Sequence, residues 1–295
     1  MEFSNLPGFY RFFLGDLEIV VLSDGTATVY TEKMMLNATS GEVSYYLRES
    51  YAEADYEASI NAFLFRSGGQ LILIDTGAGD LMGPTAGHLT ESLRAAGYEP
   101  GDIDVVLLTH IHGDHSGGLM DNGALAFPNA TLYVNQRDFD YWLSEEQMNG
   151  VPPARQQSFR NAKAKVGPWK EAGRVKTFLE DLELIPGVFS WAQPGHTPGH
   201  TYFTIKNGRH KIVFCADIVH VAEIQLANPD IAITLDVDPQ AAVIKRKEFL
   251  KLAAEEGFWL AADHISFPGI GHVRPRGNGY FWIPNKFSVR AEINI

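Results

Sequence analysis

"THIHGDHSGG" occupies residues 109–118 and sets His110, His112, Asp114 and His115 within six consecutive positions. Imidazole and carboxylate groups are poor core fillers, and desolvating four of them together is costly unless they share a partner. The stretch follows the apolar run "VVLL" at 105–108, so the cluster stands where a strand ends. Other apolar runs end the same way. "LILID" closes on Asp75, "FSWAQPGHTPGH" on His196 and His200, "KIVFCAD" on Asp217, and "FWLAADH" on Asp263 and His264. Polar side chains delivered by several strand ends to one rim are how sheet proteins assemble sites.

The chain of 295 residues can bury a sizeable core and is read as a single domain over 1–295. A net charge of −12 argues against a nucleic-acid partner, and the basic residues between Arg155 and Lys176 read as a solvated helix face. Cys215 is the single cysteine, which excludes an internal disulfide and a thiolate-rich zinc site; its apolar run marks it as a buried structural thiol. No run approaches 18 apolar residues, so no membrane span is expected. The opening "MEFSNLPGFYRFF" lacks a basic-then-apolar leader pattern. The expected location is therefore cytoplasmic, or periplasmic had a leader been removed.

Strands are expected over 18–22, 60–66, 71–74, 105–108, 131–134, 175–178, 201–205, 211–215 and 258–261. Helices are expected over 87–96, 136–144, 154–166 and 239–256, the last with Asp238 as N-cap and Pro239 in its first position. Hairpin signals such as "SGG" (67–69) and "KNGR" (206–209), interspersed with helices, imply mixed sheets covered by helices in one layered α/β domain. Residues 26–59 show no strong period and read as a long loop within an N-terminal arm, 1–59, reaching over a site or a partner subunit. The aromatic run "FYRFF" (9–13) suits a subunit interface, hence an expected homodimer.

Histidine nitrogens and carboxylate oxygens without thiolate suit Zn, Mn, Fe or Co rather than Ca or Mg. His110 and His112 are spaced to pinch one ion, while Asp114 and His115 can aim at a second. Two ions about 3.5–4 Å apart need a bridging carboxylate, for which Asp217 at a strand end is the candidate.

"HIHGDH" (110–115) matches the H-x-H-x-D-H signature of the metallo-β-lactamase superfamily, and His196, Asp217 and His264 follow in the order of that family's remaining ligands. The resemblance covers about Asp75 to His264. It implies an αββα sandwich of two mixed β-sheets flanked by helices. It also implies two divalent metal ions, zinc first with Mn, Co or Fe as alternatives. By resemblance His110, His112 and His196 hold one ion, Asp114, His115 and His264 hold the other, and Asp217 bridges. His112 stands where redox-active di-iron members carry glutamate, which favours hydrolysis. Asp217 stands where β-lactamases with a cysteine ligand place that cysteine, with Cys215 two residues early.

"FCADIVHVA" (214–222) and "DHISFPGIGHVRPRGNGYFWIP" (263–284) resemble the methyl parathion hydrolase branch and its lactonase relatives. The implied activity is hydrolysis of aryl lactones and esters of the dihydrocoumarin kind, with phosphotriesterase activity toward organophosphates. N-acyl homoserine lactonases resemble the chain less closely: they carry a tyrosine shortly after the bridging aspartate to polarise the lactone carbonyl, and here His220 follows Asp217. Homoserine lactone hydrolysis is one alternative. Another is a glyoxalase II-like thioester hydrolase, with Arg274, Arg276, Lys286 and Arg290 near the C-terminus to bind an anion. A metal-binding module without catalysis is the remote one.

Within the leading reading, Asp217 holds the ions apart and relays a proton, Asp114 assists the leaving group, and His220 polarises the carbonyl. Trp142, Phe159, His220, Ile233 and Leu235 are the expected substrate-pocket residues. Asp75, His200 and Asp263 are expected behind the ligands, the two aspartates accepting from imidazole N–H groups. His88 and His210 read as solvated bystanders, and His272 as a brace for the C-terminal loops.

Overall fold

The computed structural model of the protein describes residues 8–179 and 181–287. Its core lies between two seven-stranded sheets. The first sheet runs, in spatial order, through Gly8–Leu14, Leu17–Tyr30, Asp55–Ser67, Gln70–Ile74, Val105–Leu107, Thr131–Asn135 and Val175–Phe178. The second runs through Glu183–Ile185, Val188–Ala192, Thr201–Asn207, His210–Ala216, Trp259–Ala262, Ile270–Arg276 and Gly279–Pro284. Both sheets are mixed. Gln70–Ile74 is parallel to Val105–Leu107, and His210–Ala216 is parallel to Trp259–Ala262. Strands buried on both faces read as continuous apolar runs rather than alternating ones, which is why "LILI" and "VVLL" stand out in the sequence.

Phe63, Phe65, Ile72, Leu107, Phe203 and Phe214 interdigitate between the sheets, with Phe65 stacked on Phe214 at 5.4 Å. Helices Leu89–Ala95 and Pro153–Glu171 pack outside the first sheet through Leu93, Phe159 and Trp169. Helix Pro239–Glu256 packs outside the second through Phe249, Leu250 and Ala253. This is the expected αββα sandwich. Among the described residues, no helix is long and apolar enough to cross a membrane.

Two expectations about the N-terminal arm need correction; its residues 1–7 lie outside the described residues. The stretch 26–59 is not a loop. Strand Leu17–Tyr30 continues to pair with Asp55–Ser67 as far as Tyr30↔Asp55, and a helix, Ser40–Glu49, lies between them. Thr39 and Glu42 cap that helix reciprocally. Its buried Val43 and Leu47 join Met35, Tyr56, Val221, Ile224 and Ile231 in one cluster, so the arm packs on its own chain. "FYRFF" is also only partly exposed: Gly8–Leu14 is an edge strand whose Phe12 is buried against Trp259 while Phe9 stays exposed. The C-terminal hairpin Ile270–Arg276 with Gly279–Pro284 was not anticipated.

Helix Pro239–Glu256 forms as its sequence requires. Asp238 accepts from the Gln240 and Ala241 amides, and Gly257 ends the helix in the left-handed conformation. Its buried Arg246 donates to the carbonyls of Ile218, Pro229 and Ile231, tying down the segment that carries His220. Arg246→Met keeps most of the volume and strands those acceptors, so it should cost about 3 kcal/mol or more. Urea unfolding followed by circular dichroism should show a lowered midpoint at unchanged slope.

Candidate metal centre

Every strand exit named above opens onto the same edge of the sandwich. His110 follows Val105–Leu107 after two residues, and His112 caps the short helix Gly113–Ser116 that carries Asp114 and His115. Gly117 and Gly118 have no room for side chains, since a Cβ there would lie 2.0 Å from the carbonyl oxygens of Ala78 and Thr76 respectively. That close approach lets Thr76 donate to the His115 carbonyl and locks the motif against the loop after Asp75. Asp75 and Ala216 hold left-handed backbones, φ 58° and 47°, at two strand exits. Strain of this kind persists only where the surroundings over-determine it.

Two donor sets result. Nε2 of His110, Nδ1 of His112, Nε2 of His196 and Oδ2 of Asp217 converge: His112 Nδ1 lies 3.1 and 2.9 Å from the two nitrogens, and Asp217 Oδ2 lies 3.1 Å from His196 and 3.4 Å from His110. Asp217 Oδ1 belongs to the second set, 3.1 Å from His115 Nε2 and 3.2 Å from His264 Nε2. Asp114 Oδ2 completes it, 3.7 and 3.5 Å from the same nitrogens. One carboxylate thus gives one oxygen to each set.

The tautomers follow from what each ring does behind the centre. His115 Nδ1 donates to Asp75 at 2.8 Å, His196 Nδ1 to Asp236 at 2.8 Å, and His264 Nδ1 to the Ser59 carbonyl at 2.9 Å. The Thr109 hydroxyl donates to Asp75 and so accepts from His110 Nδ1 at 3.0 Å. In its neutral, metal-binding form each of these four rings would therefore present a bare Nε2 to the middle. His115 Nε2, His264 Nε2 and Asp217 Oδ1 are buried with no hydrogen-bond partner. Inward lone pairs, shared carboxylate oxygens and no thiolate fit two divalent cations.

The electrostatics divide the rings. His110 and His112 are held low, whereas the carboxylates around His115, His196 and His264 raise all three against their burial, so that a cation replacing their protons would meet the same carboxylate charge. Burial, reinforced by neighbouring imidazoles, holds His110 low and His112 at about 3, so both rings are neutral, the form that binds metal. Burial would also lower His196 and His264, but Asp217 and its neighbours outweigh it and draw both to about 9. Burial would raise Asp217; the surrounding imidazoles hold it well below the usual carboxylate range.

Asp75 accepts from the Thr109 amide and hydroxyl as well as from His115. Asp263 lies 3.4 Å from His115 Nδ1, both its oxygens otherwise unpartnered, and burial with the adjacent Asp75 pushes it up to about 7. His200 accepts from the Asp217 amide at 3.2 Å and donates to the Gln193 carbonyl, so it positions the backbone of the bridging residue. His220 Nε2 lies 2.9 Å from Asp217 Oδ2, and its ring stacks on His264. His272 donates to the Phe258 carbonyl, the expected brace.

A cavity of about 660 Å³ opens over His112, Asp114, Asp217, His220 and His264. Leu235 lines it. Trp142 and Phe159 do not: they pack on each other at 4.7 Å in the core outside the first sheet, where Trp142 meets His112 edge-on. Burying large aromatic area outweighs lining a cavity. Ile233 is also corrected, because the strand Ala232–Ile233 turns it into the core beneath the arm and the chain turns before Leu235. The rest of the wall comes from the arm, including Ala27, Val29, Tyr30 and Met34, from Leu81 and Met82 in the loop after Asp75, and from Ser158 and Asn161 on helix Pro153–Glu171.

The sequence reading missed three carboxylates. Asp236 orients His196. Buried Asp138 accepts from the Ile111 amide, the Thr197 hydroxyl and the Gly199 amide, joining the loop of His110 and His112 to that of His196. Asp24 accepts from the amides of Ala78, Gly87 and Leu89 and fixes the loop after Asp75.

A sandwich with seven convergent His and Asp ligands defines a dinuclear metallohydrolase. A model of the metallo-beta-lactamase superfamily matches residues 55–264, and the chain belongs to that superfamily. The crystal structure of hydrolase AbOPH in the beta lactamase superfamily is 35% identical, with TM-score 0.90 over 97% of this chain and 100% of that one. AidC, a dizinc quorum-quenching lactonase in complex with the product N-hexanoyl-L-homoserine, is 29% identical, with TM-score 0.85 over the same shares. N-acyl homoserine lactonase AiiA of Bacillus thuringiensis subsp. kurstaki is 32% identical over 113 residues, 38% of this chain and 37% of that protein. The chain thus spans well under half the length of that curated relative. These relatives point to the lactonase reading rather than specifically to methyl parathion hydrolase.

Asp217→Asn and His110→Ala should each lower bound metal from about two equivalents per chain and reduce turnover by about a thousandfold or more. Asp138→Asn, which swaps an accepting oxygen for a donor, should weaken metal retention about 10–100-fold, with partial recovery in Asp138→Glu. Elemental analysis after timed chelation checks both.

Proposed function

We propose that the protein is a zinc-dependent lactone hydrolase acting on acyl lactones, of which the N-acyl homoserine lactones are the model class. The observation carrying this reading is the cavity over the ligand cluster. Its floor is polar, and its wall carries an apolar patch of Ala27, Val29, Met34, Ala58, Met82 and Leu235 beside the polar Lys33, Ser158 and Asn161. At about 660 Å³ the cavity exceeds a lone lactone ring and leaves room for an acyl chain. The lactonase relatives support the same reading.

Held by the two donor sets, divalent cations would supply Lewis-acid polarisation and an acidified water. The chain's own residues divide the remaining work. Asp217, with both oxygens buried, serves as the fixed bridge. Asp114 keeps 18% of its side chain exposed and borders the cavity, so its carboxylate is placed to carry a proton to the leaving alkoxide. Burial lowers His220 to about 4, so its ring is neutral. Its Nε2–H donates to Asp217 and its Nδ1 is buried without a partner. His220 is thus placed to steady the bridge, and it also borders the cavity.

The test is kcat/KM for N-hexanoyl homoserine lactone, dihydrocoumarin and a methyl phosphotriester with the zinc-loaded enzyme. The acyl lactone should exceed the phosphotriester by about a hundredfold or more. Met34→Asp should raise KM for the hexanoyl lactone about tenfold while moving dihydrocoumarin far less. Equal or better phosphotriester turnover would overturn the reading in favour of an organophosphate hydrolase.

A further inference from the structure

The outer face of the second sheet is only partly covered. Helix Pro239–Glu256 lies over Tyr202, Val213 and Leu260 and stops at Gly257. Beyond its end the face continues through Phe189 and Trp191 on one strand, Thr204 and Lys206 on the next, and Lys211 on a third. The register pairs Phe189 with Thr204 and Lys206 with Lys211. These residues, with Arg209, Phe258 and Trp259, line a cavity of about 720 Å³.

Its chemistry is unlike that of the surrounding surface. The chain carries a net charge of −12, yet this cavity gathers Lys206, Arg209 and Lys211 against one carboxylate, Glu256. Lys211 is held by Glu256 at 3.0 Å and lies 4.3 Å over the Phe258 ring. The Trp191 indole, 39% exposed, is anchored by its N–H donating to Thr204 Oγ1 at 3.0 Å, so its face is presented at a fixed tilt. A held indole costs little ordering entropy on binding. Flat rings beside cations in a concavity select a flat apolar body bearing negative charge.

We propose that this cavity is a second binding site, separate from the metal centre, for a small aromatic anion such as an aryl sulfonate, carboxylate or phosphate. Strand His210–Ala216 starts at the cavity and ends beside Asp217, so about 20 Å separates the two sites. The proposal does not depend on the lactonase reading.

The test uses naphthalene-2-sulfonate as probe, titrated calorimetrically into the full-length metal-loaded protein, with neutral naphthalene-2-methanol as comparator. Saturable one-site binding at about 10–100 μM is expected, roughly tenfold tighter than the neutral compound and weakened by salt. Trp191→Ala and Lys206→Gln should each weaken it about tenfold, while Leu235→Asp, in the other cavity, leaves it unchanged. Equal affinity for the neutral compound would overturn the proposal, because lysine stems lying over rings make a surface of that kind too. So would absence of binding below millimolar, or indifference to both cavity variants. A sedimenting dimer that Trp191→Ala dissociates would also overturn it, by making this face a subunit contact.

Discussion

Bare imidazole nitrogens facing carboxylate oxygens in a dry interior are the constraint on which the rest of this structure depends. His110, His115, His196 and His264 each spend one nitrogen on an anchor and aim the other inward. The anchors come from four places: Thr109 beside the motif, Asp75 at a strand exit, Asp236 before the last long helix, and the Ser59 carbonyl in the second long strand of the first sheet. No single element could hold them. The sandwich brings these ends to one edge, and the unpartnered Nε2 atoms and Asp217 Oδ1 find their stabilisation in shared cations.

Close fitting around this edge shows in the backbone. Two residues other than glycine, Asp75 and Ala216, hold left-handed conformations at strand ends, and glycines 117 and 118 lie against carbonyl oxygens. Asp138 and Asp24 then act as clasps, each collecting backbone amides from separate loops onto one carboxylate. Such clasps exchange desolvation cost for rigidity, which a ligand set accurate to fractions of an ångström requires. Burial raises both carboxylates to about 6, against the backbone amides that each accepts from.

The ligands were legible because their signal is local and chemically typed. "HIHGDH" is contiguous, and each remaining ligand ends an apolar run, so strand direction alone gathers them. The clasps were not legible, because a lone aspartate reveals nothing until its amide partners arrive from tens of residues away. The arm was misread for a related reason. Its strand order rests on pairing between Leu17–Tyr30 and Asp55–Ser67 and on contacts with Val221 and Ile231, none visible in the period of residues 26–59. Trp142 and Phe159 were assigned to the pocket by position between motifs, whereas helix packing against the first sheet decides where large rings go.

That division explains why the reaction class was readable while the substrate class needed the fold. The floor of the cavity is built from the motif and the strand exits, whose residue types declare their chemistry. Much of its wall is built from the arm, Met82 and Leu235, whose apolar residues are indistinguishable in sequence from core. Met34 and Leu235 border the substrate space only because the short strands Met35–Leu36 and Ala232–Ile233 pair and leave the flanking residues at the rim. The same pairing turns Ile233 inward, so neighbours two positions apart face opposite environments. The rim of the cavity is therefore shaped in part by a two-residue ladder that supplies none of the metal ligands. Substitutions there should re-aim the substrate while the ligand geometry beneath stays fixed.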